Sequence, residues 1–409
     1  MKIAVFPFPL LAHYLRCAEL LREHQGNHQI FFAGSNDAAT IVERMGFELF
    51  QSDNFDPATV LEHSHRFDFG WLTESAILRV LESQISSIKQ LSPDLIISDA
   101  SQVTRMAAEF CNVKHLSLVN AYMTRYYAET RGLPEGHPAK KYESQTPKPI
   151  FNWMTRIAES MAMKKVHKPF LSLRKKFELP VTQRYLDEYE GDIVGILDAP
   201  EVFPLHRAPK HYVPLGPVYY DSTPLRAAPP NSLSRIIVTL GSSGEWPQIE
   251  LLDDPVFHSF QVVALGKAGP LLRGSHIERI PFAEPDQILP GAKAVICHGG
   301  NGSIYQALSY GVPVLCHPSM FEQEWNVARF EALGLVRRIP TNLSPVELLQ
   351  LIEEGNKPAG FGHPSTLSLP KNYSLHPAKK RFGEVLREVT SACSDDGSKR
   401  QPSYSGYNK

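Results

Sequence analysis

The apolar positions of this chain fall in short unbroken runs, each followed by a stretch of helical spacing. Lys2–Pro7 (KIAVFP) is such a run, and the stretch from Ala12 to Glu23 follows it. Gln29–Ala33 (QIFFA) then precedes Asn36–Met45, and a long helical stretch covers Trp71–Leu91. Next come Asp94–Ser98 (DLIIS), a helix from about Ser101 to Cys111, and a run at Lys114–Val119. Continuous apolar runs alternating with helices predict βαβ units and a parallel sheet. The pattern leaves strand order open.

The second half repeats the logic without residue-level self-similarity. Strands are predicted at Arg235–Leu240, Phe260–Leu265, Lys293–Cys297 and Pro313–Cys316, and helices at Ser303–Tyr310, Phe321–Leu333 and Pro345–Glu354. Between the halves, Ala199–Ser232 carries eight prolines, from Pro200 to Pro230. Such a segment resists helix and central strand and suits an extended linker. The expected organisation is an N-terminal Rossmann-like domain over 1–216, a linker over 217–232 and a second Rossmann-like domain over 233–374. A last helix over 375–393 packs back across the cleft in this reading, and a disordered polar tail covers 394–409. Two such domains leave a cleft between the carboxyl ends of their sheets, where ligands bind in α/β folds.

Composition narrows the class. Lys+Arg is 42 and Asp+Glu 43, so there is no basic excess of the kind a nucleic-acid binder shows. The five cysteines include no CxxC pair, consistent with reduced thiols in a cytoplasmic protein. No apolar run approaches the ~18 residues of a membrane span. The N-terminus reads as a buried first strand rather than a signal peptide.

The most informative local stretch runs from Val295 to Leu308 and contains His298-Gly299-Gly300-Asn301-Gly302-Ser303. A strand enters a glycine-rich turn that opens a helix. Free N–H groups at such a helix start attract phosphate, and the glycines permit close approach. Ser303 adds a hydroxyl and His298 a ring N–H. A tight βα turn with Ser303 as cap explains the same residues. Downstream, Tyr310-Gly311-Val312-Pro313 ends that helix, and Met320–Asn326 opens another at the same sheet edge. There Glu322 and Gln323 suit polyol hydroxyls, or a helix's first turn.

This ordered set, His298-Gly299-Gly300, Gly302-Ser303, Gly311-Val312-Pro313 and Glu322-Gln323 with Asn326, resembles the donor-binding signature of the UDP-glycosyltransferase family. Pro214-Leu215-Gly216-Pro217 resembles the family's phrase before its second domain. The resemblance implies an α/β protein of the GT-B architecture, two Rossmann-like domains with parallel sheets facing across a cleft. It also implies an inverting, metal-independent glycosyltransferase using a UDP- or dTDP-sugar as co-substrate, with no cofactor. The acceptor is expected to be a small, partly apolar hydroxyl compound, as in natural-product glycosylation. By family pattern His298, Gly300, Gly302 and Ser303 hold the diphosphate, Gly241 and Ser242 form the other phosphate-proximal turn, and Asn301 is a further donor-binding residue. Phe282 stacks on the base, or is a core residue. Glu322 and Gln323 hold the sugar. Two departures stand out: Glu322 replaces a common Asp, and Gln306 replaces a common Glu at the ribose. A neutral amide binds a diol less strongly than a carboxylate, which weakens the case for uridine over deoxythymidine.

An alcohol needs a base to take its proton, and histidine suits that task near neutral pH. His13 follows the first strand at its carboxyl edge, and in the resembled family a histidine in this loop is the base. Asp99 ends the strand DLIIS at the matching edge and matches the family aspartate that orients the base; a helix N-cap is the alternative. No DxD pair sits in a suitable loop, since Asp253-Asp254 precedes Pro255 in a polar surface segment. Glu62-His63-Ser64-His65 lacks HExxH spacing and reads as a solvated loop rather than a metal site. Trp71, Tyr122, Tyr126, Tyr127 and Trp153 could line an apolar acceptor pocket or sit in the core. The basic stretch Asn152–Phe177 could touch an anionic membrane or an acidic acceptor, and otherwise reads as a solvated helix face beside the acceptor pocket. The same phosphate site would also serve a GT-B sugar-nucleotide epimerase, or a non-catalytic nucleotide-sugar-binding partner subunit.

Overall fold

Each apolar run predicted in the first half becomes a strand of one sheet. The computed structural model describes residues 1–34, 37–135, 137–220, 234–355 and 376–395. In chain order the first half contains β1 (Lys2–Pro7), α1 (Leu11–Leu21), β2 (Gln29–Gly34), α2 (Asp37–Arg44), β3 (Glu48–Gln51), α3 (Pro57–His65) and α4 (Glu74–Leu91). It continues with β4 (Leu95–Asp99), α5 (Thr104–Cys111), β5 (Lys114–Val119), α6 (Lys148–Lys176), β6 (Ile193–Ile196) and β7 (Tyr212–Pro214). These strands form a seven-stranded sheet in the order β3-β2-β1-β4-β5-β6-β7, every pairing parallel.

The second half contains β8 (Ser234–Thr239), β9 (Phe260–Leu265), β10 (Ile277–Ile280), α7 (Pro285–Ile288), β11 (Ala294–Cys297) and α8 (Asn301–Ser309). After these come β12 (Val314–Cys316), α9 (Phe321–Ala332), β13 (Arg337–Arg338), α10 (Pro345–Glu354) and α11 (His376–Asp395). Its six strands are ordered β10-β9-β8-β11-β12-β13, again all parallel.

Both sheets reverse their strand order beside their first strand, and ligands bind at such switch points. In the first sheet the register sets Pro7 opposite Asp99. In the second it sets Thr239 opposite Cys297. The loops after β1, β4, β8 and β11 therefore gather at the two switch points. An apolar core continues from one domain to the other: Phe203 packs edge-on against Phe330, which meets Tyr305 in the same way.

Several expectations change. Glu62–His65 is not a solvated loop but the last turn of α3, which Asp56 caps by accepting from the Thr59 N–H. The proline-rich segment is not wholly extended linker: β7 lies within it. Its Pro214 is tolerated because β7 is the edge strand of the sheet among the described residues. The rest of the expected linker, 221–232, lies outside the described residues, as does 396–409 of the expected tail. Residues 394–395 belong to α11. That helix lies against α1, with Lys379 3.2 Å from Glu19, and an Arg381 nitrogen donates to the Pro214 carbonyl at 3.0 Å. Trp71 is buried against Phe8 and Phe55, Tyr126 packs on Tyr212, and Tyr127 on Phe203. Trp153 is exposed on α6, so these four aromatics do not share one pocket. Among the described residues no helix is long and apolar enough to cross a membrane.

Candidate active site

A cavity of about 310 Å³ lies between the two switch points and is walled by both domains. The first domain contributes the start of α1, with Leu10, Leu11, His13, Leu15 and Arg16. The second contributes the loops after β8 and β11 and the first turns of α8 and α9. Of the residues singled out from sequence, His13, Gly241, Ser242, Phe282, His298, Gly300, Asn301, Gly302, Ser303, Gln306, Glu322 and Gln323 all line this cavity. Asp99 stands directly behind His13.

His13 Nδ1 lies 2.9 Å from Asp99 Oδ1, bridging 86 residues of sequence. The β1–β4 register makes this contact by placing both strand ends side by side. Asp99 is fully buried. Burial alone would raise its pKa, but the Arg16 guanidinium and His13 outweigh burial and hold the carboxyl below its ordinary value. Arg16 is a functional residue that sequence reading missed. Its Nε donates to Asp99 Oδ2 at 2.9 Å, and Nη2 to Oδ1 at 2.6 Å. Nη1 donates to Asn120 at 2.8 Å. The available signal was a lone cation inside the apolar stretch Leu15-Arg16-Cys17-Ala18.

On the facing domain, α8 starts at Gly300, which has no side chain to cap it. The N–H groups of Asn301, Gly302 and Ser303 thus lack partners within the helix and end at the cavity, the arrangement that attracts an anion. Gly241 has φ +57°, so the turn after β8 needs glycine there. The His298 ring is boxed in by glycine backbone. A Cβ at Gly241, Gly244 or Gly300 would lie 2.6, 2.1 or 2.4 Å from its atoms. Burial lowers the His298 pKa to about 4, so the ring is neutral at pH 7 and offers an N–H rather than a charge.

Four side chains carry bonds that the sequence did not foretell. Asn301 donates its amide to Asp198 at 2.6 Å, across the cleft, instead of turning it to a ligand. Asp198 is fully buried, and burial raises its pKa to about 6. Gln323 accepts from the N–H and O–H of Ser319 and donates to Ser243, so its amide braces two turns. Glu322 accepts from the buried Tyr122 hydroxyl at 2.6 Å, again across the cleft. Gln306 gives its NH₂ to the Tyr220 carbonyl at 2.5 Å, leaving a neutral carbonyl oxygen beside the cavity. Phe282 is 58% exposed and edge-on to Tyr220, which excludes the core alternative and puts an aromatic face at the rim. Asp253 and Asp254 bind nearby backbone N–H groups instead of facing the cavity. His65, at the end of α3, lies 3.0 Å from the Ser243 carbonyl and helps close one side of the cleft.

Comparison with known proteins places the two halves together. Residues 287–353 match the family model described as UDP-glucoronosyl and UDP-glucosyl transferase. A PGL/p-HBAD biosynthesis glycosyltransferase of Mycobacterium tuberculosis is 26% identical over 260 residues, 60% of this chain and 59% of that protein. The matched region thus spans less than two thirds of that relative. The NDP-glycosyltransferase YjiC of Bacillus subtilis is 23% identical over 346 residues, 79% of this chain and 80% of its own length. Among solved structures, the glycotransferase of kitacinnamycin superposes with TM-score 0.68 at 18% identity, covering 95% of this chain and 99% of that one. The glycosyltransferase VinC, solved with DTDP, superposes with TM-score 0.59 at 18% identity, covering 97% of this chain and 100% of its own. The shared fold is the GT-B arrangement.

Proposed function

On the premise that this chain is a GT-B protein of the family 1-like UDP-glycosyltransferase type, we propose that it is an inverting glycosyltransferase. In this reading it moves a sugar from a UDP- or dTDP-sugar to a hydroxyl of a small, partly apolar acceptor. The observation that carries the reading is one cavity lined by His13, which Asp99 backs from behind, and by the uncapped N-terminus of α8.

His13 Nδ1–H donates to Asp99, which leaves Nε2 as the base. Nε2 takes the acceptor proton while the acceptor oxygen attacks the anomeric carbon from the face opposite the diphosphate. The bond from that carbon to the diphosphate oxygen breaks, and the electron pair leaves with the nucleoside diphosphate. Negative charge developing there meets the N–H groups of Asn301, Gly302 and Ser303 and the neutral ring of His298, donors that are already oriented. Glu322 takes sugar hydroxyls, with Tyr122 fixing its carboxylate. Phe282 offers its face to the base, and Leu10, Leu11 and Leu15 give the acceptor side an apolar wall.

With Gln306 neutral and its NH₂ held by Tyr220, the 2′-hydroxyl of a ribose finds no carboxylate there. UDP and dTDP therefore bind within about tenfold of each other. Thermal shift with UDP, dTDP, GDP, ADP and NAD tests the donor side, since a ligand at 100 times its Kd adds ~2.7 kcal/mol. Stabilisation by UDP and dTDP alone is expected. A response to none of the five would remove the nucleotide-sugar reading, and a hundredfold preference for UDP would remove the Gln306 argument.

A further inference from the structure

α6 carries an apolar face that no other described element covers. Its inner side buries Phe151, Thr155, His167, Phe170, Leu173 and Arg174. Its outer side presents Ile150, Trp153, Met154, Ile157 and Met161, each between 42% and 67% exposed. Spacings of three and four residues set these five side chains on one face of the helix. At a rise of ~1.5 Å per residue the stripe is about 16 Å long. Trp71 and Trp246 are buried and Trp325 is partly buried, so Trp153 is the tryptophan that this chain turns to water. A contiguous stripe of large apolar side chains marks a contact site.

The same face changes its chemistry beyond Met161. Lys164, Lys165 and Lys168 continue it at three, four and seven residues further on, and Lys175 follows seven residues after Lys168. All four are exposed, and among the described residues no acid pairs with any of them. α6 holds eight Lys and Arg against a single acid, Glu159, in a chain whose net charge is −1. Glu159 is already engaged, 2.7 Å from Arg131. The outward face is therefore apolar along its first half and cationic along its second.

That combination selects the occupant. Protein interfaces are depleted in lysine, and a stable one takes about 20–30 residues from each side. This stripe offers five, beside a lysine cluster. Two copies paired antiparallel along the whole face would set lysines on the apolar stripe, and two paired parallel would set lysines on lysines. An anionic lipid surface accepts both halves. Its acyl boundary takes the apolar side chains, and its headgroup phosphates take ammonium groups on long flexible stems. We propose that α6 docks this protein on an anionic lipid surface, lying in the plane of the interface. Trp153 and Met161 enter the acyl boundary, and Lys164, Lys165 and Lys168 meet the headgroups. The docking is independent of the glycosyl-transfer reading.

The test uses the full chain with vesicles of phosphatidylcholine, alone or mixed with phosphatidylglycerol. Co-sedimentation reads binding, and tryptophan emission with and without doxyl-labelled lipid reads insertion. The protein is expected to bind the phosphatidylglycerol vesicles and to release them as salt rises. Its emission should shift to the blue and be quenched by the doxyl lipid, and Trp153→Phe should abolish both effects. Replacing Lys164, Lys165 and Lys168 together by Gln should weaken binding on the order of 100-fold, at about fivefold per charge. Trp153→Gln with Met161→Gln should weaken it about tenfold or more. All these positions are exposed, so each variant should melt like the wild type. Equal binding to phosphatidylcholine alone, unchanged emission, or full binding by the lysine variant would overturn the inference. A concentration-dependent dimer that Trp153→Gln dissolves would assign the face to a second copy instead. Binding to polyglutamate that survives loss of Trp153 and Met161, with none to vesicles, would assign it to an acidic protein.

Discussion

Gly300→Ala tests whether the boxed His298 ring belongs to the donor site. Gly300 has φ −65° and ψ 138°, a backbone that alanine adopts without strain, so any effect comes from the added methyl group. That methyl would lie 2.4 Å from His298 Nε2 and 2.9 Å from Cε1. The ring has no room to retreat, because the Gly241 and Gly244 backbones stand against it on other sides. Overpacking of this kind costs roughly 1–3 kcal/mol. At roughly 2–4 °C per kcal/mol for a domain of 150–250 residues, melting should fall by about 2–12 °C. Gly302→Ala is the matched control. Its methyl would meet nothing closer than Tyr219 Cβ at 3.9 Å, and alanine suits a helix better than glycine by up to ~1 kcal/mol. Scanning calorimetry with and without saturating UDP or dTDP reads both terms. Gly300→Ala should lose intrinsic stability and the ligand increment together. Gly302→Ala should keep or raise its melting point and lose only part of the increment, because its methyl stands where phosphate oxygens approach. A Gly300→Ala protein that melts like the wild type and keeps the full increment would refute the reasoning.

Three further outcomes follow from the same geometry. His13→Ala should lower glycosyl transfer by roughly 10²–10⁴-fold with nucleotide binding unchanged, and transfer at the wild-type rate would remove the base assignment. Asp99→Asn should lower kcat over a similar range and also lower the melting point, since the buried Arg16 loses its ionised partner; a stable, active variant would contradict the cluster. For His298 the folded pKa of about 4 lies below the unfolded 6.5, so the unfolded state binds the extra proton between these values. Stability is therefore full above pH 6.5 and falls as the pH drops toward 4, by up to about 3 kcal/mol from this group. Asp198 acts in the opposite sense below pH 6, because its folded pKa is raised. His298→Asn should flatten the fall relative to the wild type, and parallel stability–pH curves for the two proteins would exclude the buried neutral ring.

The strand ends were legible because strand and turn chemistry is local. An apolar run stopping at Asp99, and another stopping just before His13, put both residues at one sheet edge before any strand order was known. The glycine-rich start of α8 was legible for the same reason. What the pattern could not supply were partners chosen by packing across the fold. Asn301 and Gln323 read as ligand-facing polar residues, yet each amide is bonded within the protein. Tyr122 read as an apolar pocket wall or a core residue, while its hydroxyl serves Glu322 on the other domain. Arg16 stood in view as a cation in an apolar helix, but only the β1–β4 register shows that its counter-ion is Asp99. The Glu62–His65 stretch looked polar and solvated because its contact with Ser243 lies 178 residues further on.

The return of α11 onto α1 has a mechanical meaning. The chain leaves the first domain after Tyr220 and comes back with α11, anchored through Lys379 on Glu19 and Arg381 on Pro214. The second domain is thus tethered at two places rather than one. Between those tethers the Tyr122–Glu322 and Asp198–Asn301 bonds tie the two domains together across the cleft itself. With four such ties, His13 and the start of α8 are held on opposite walls of one cavity.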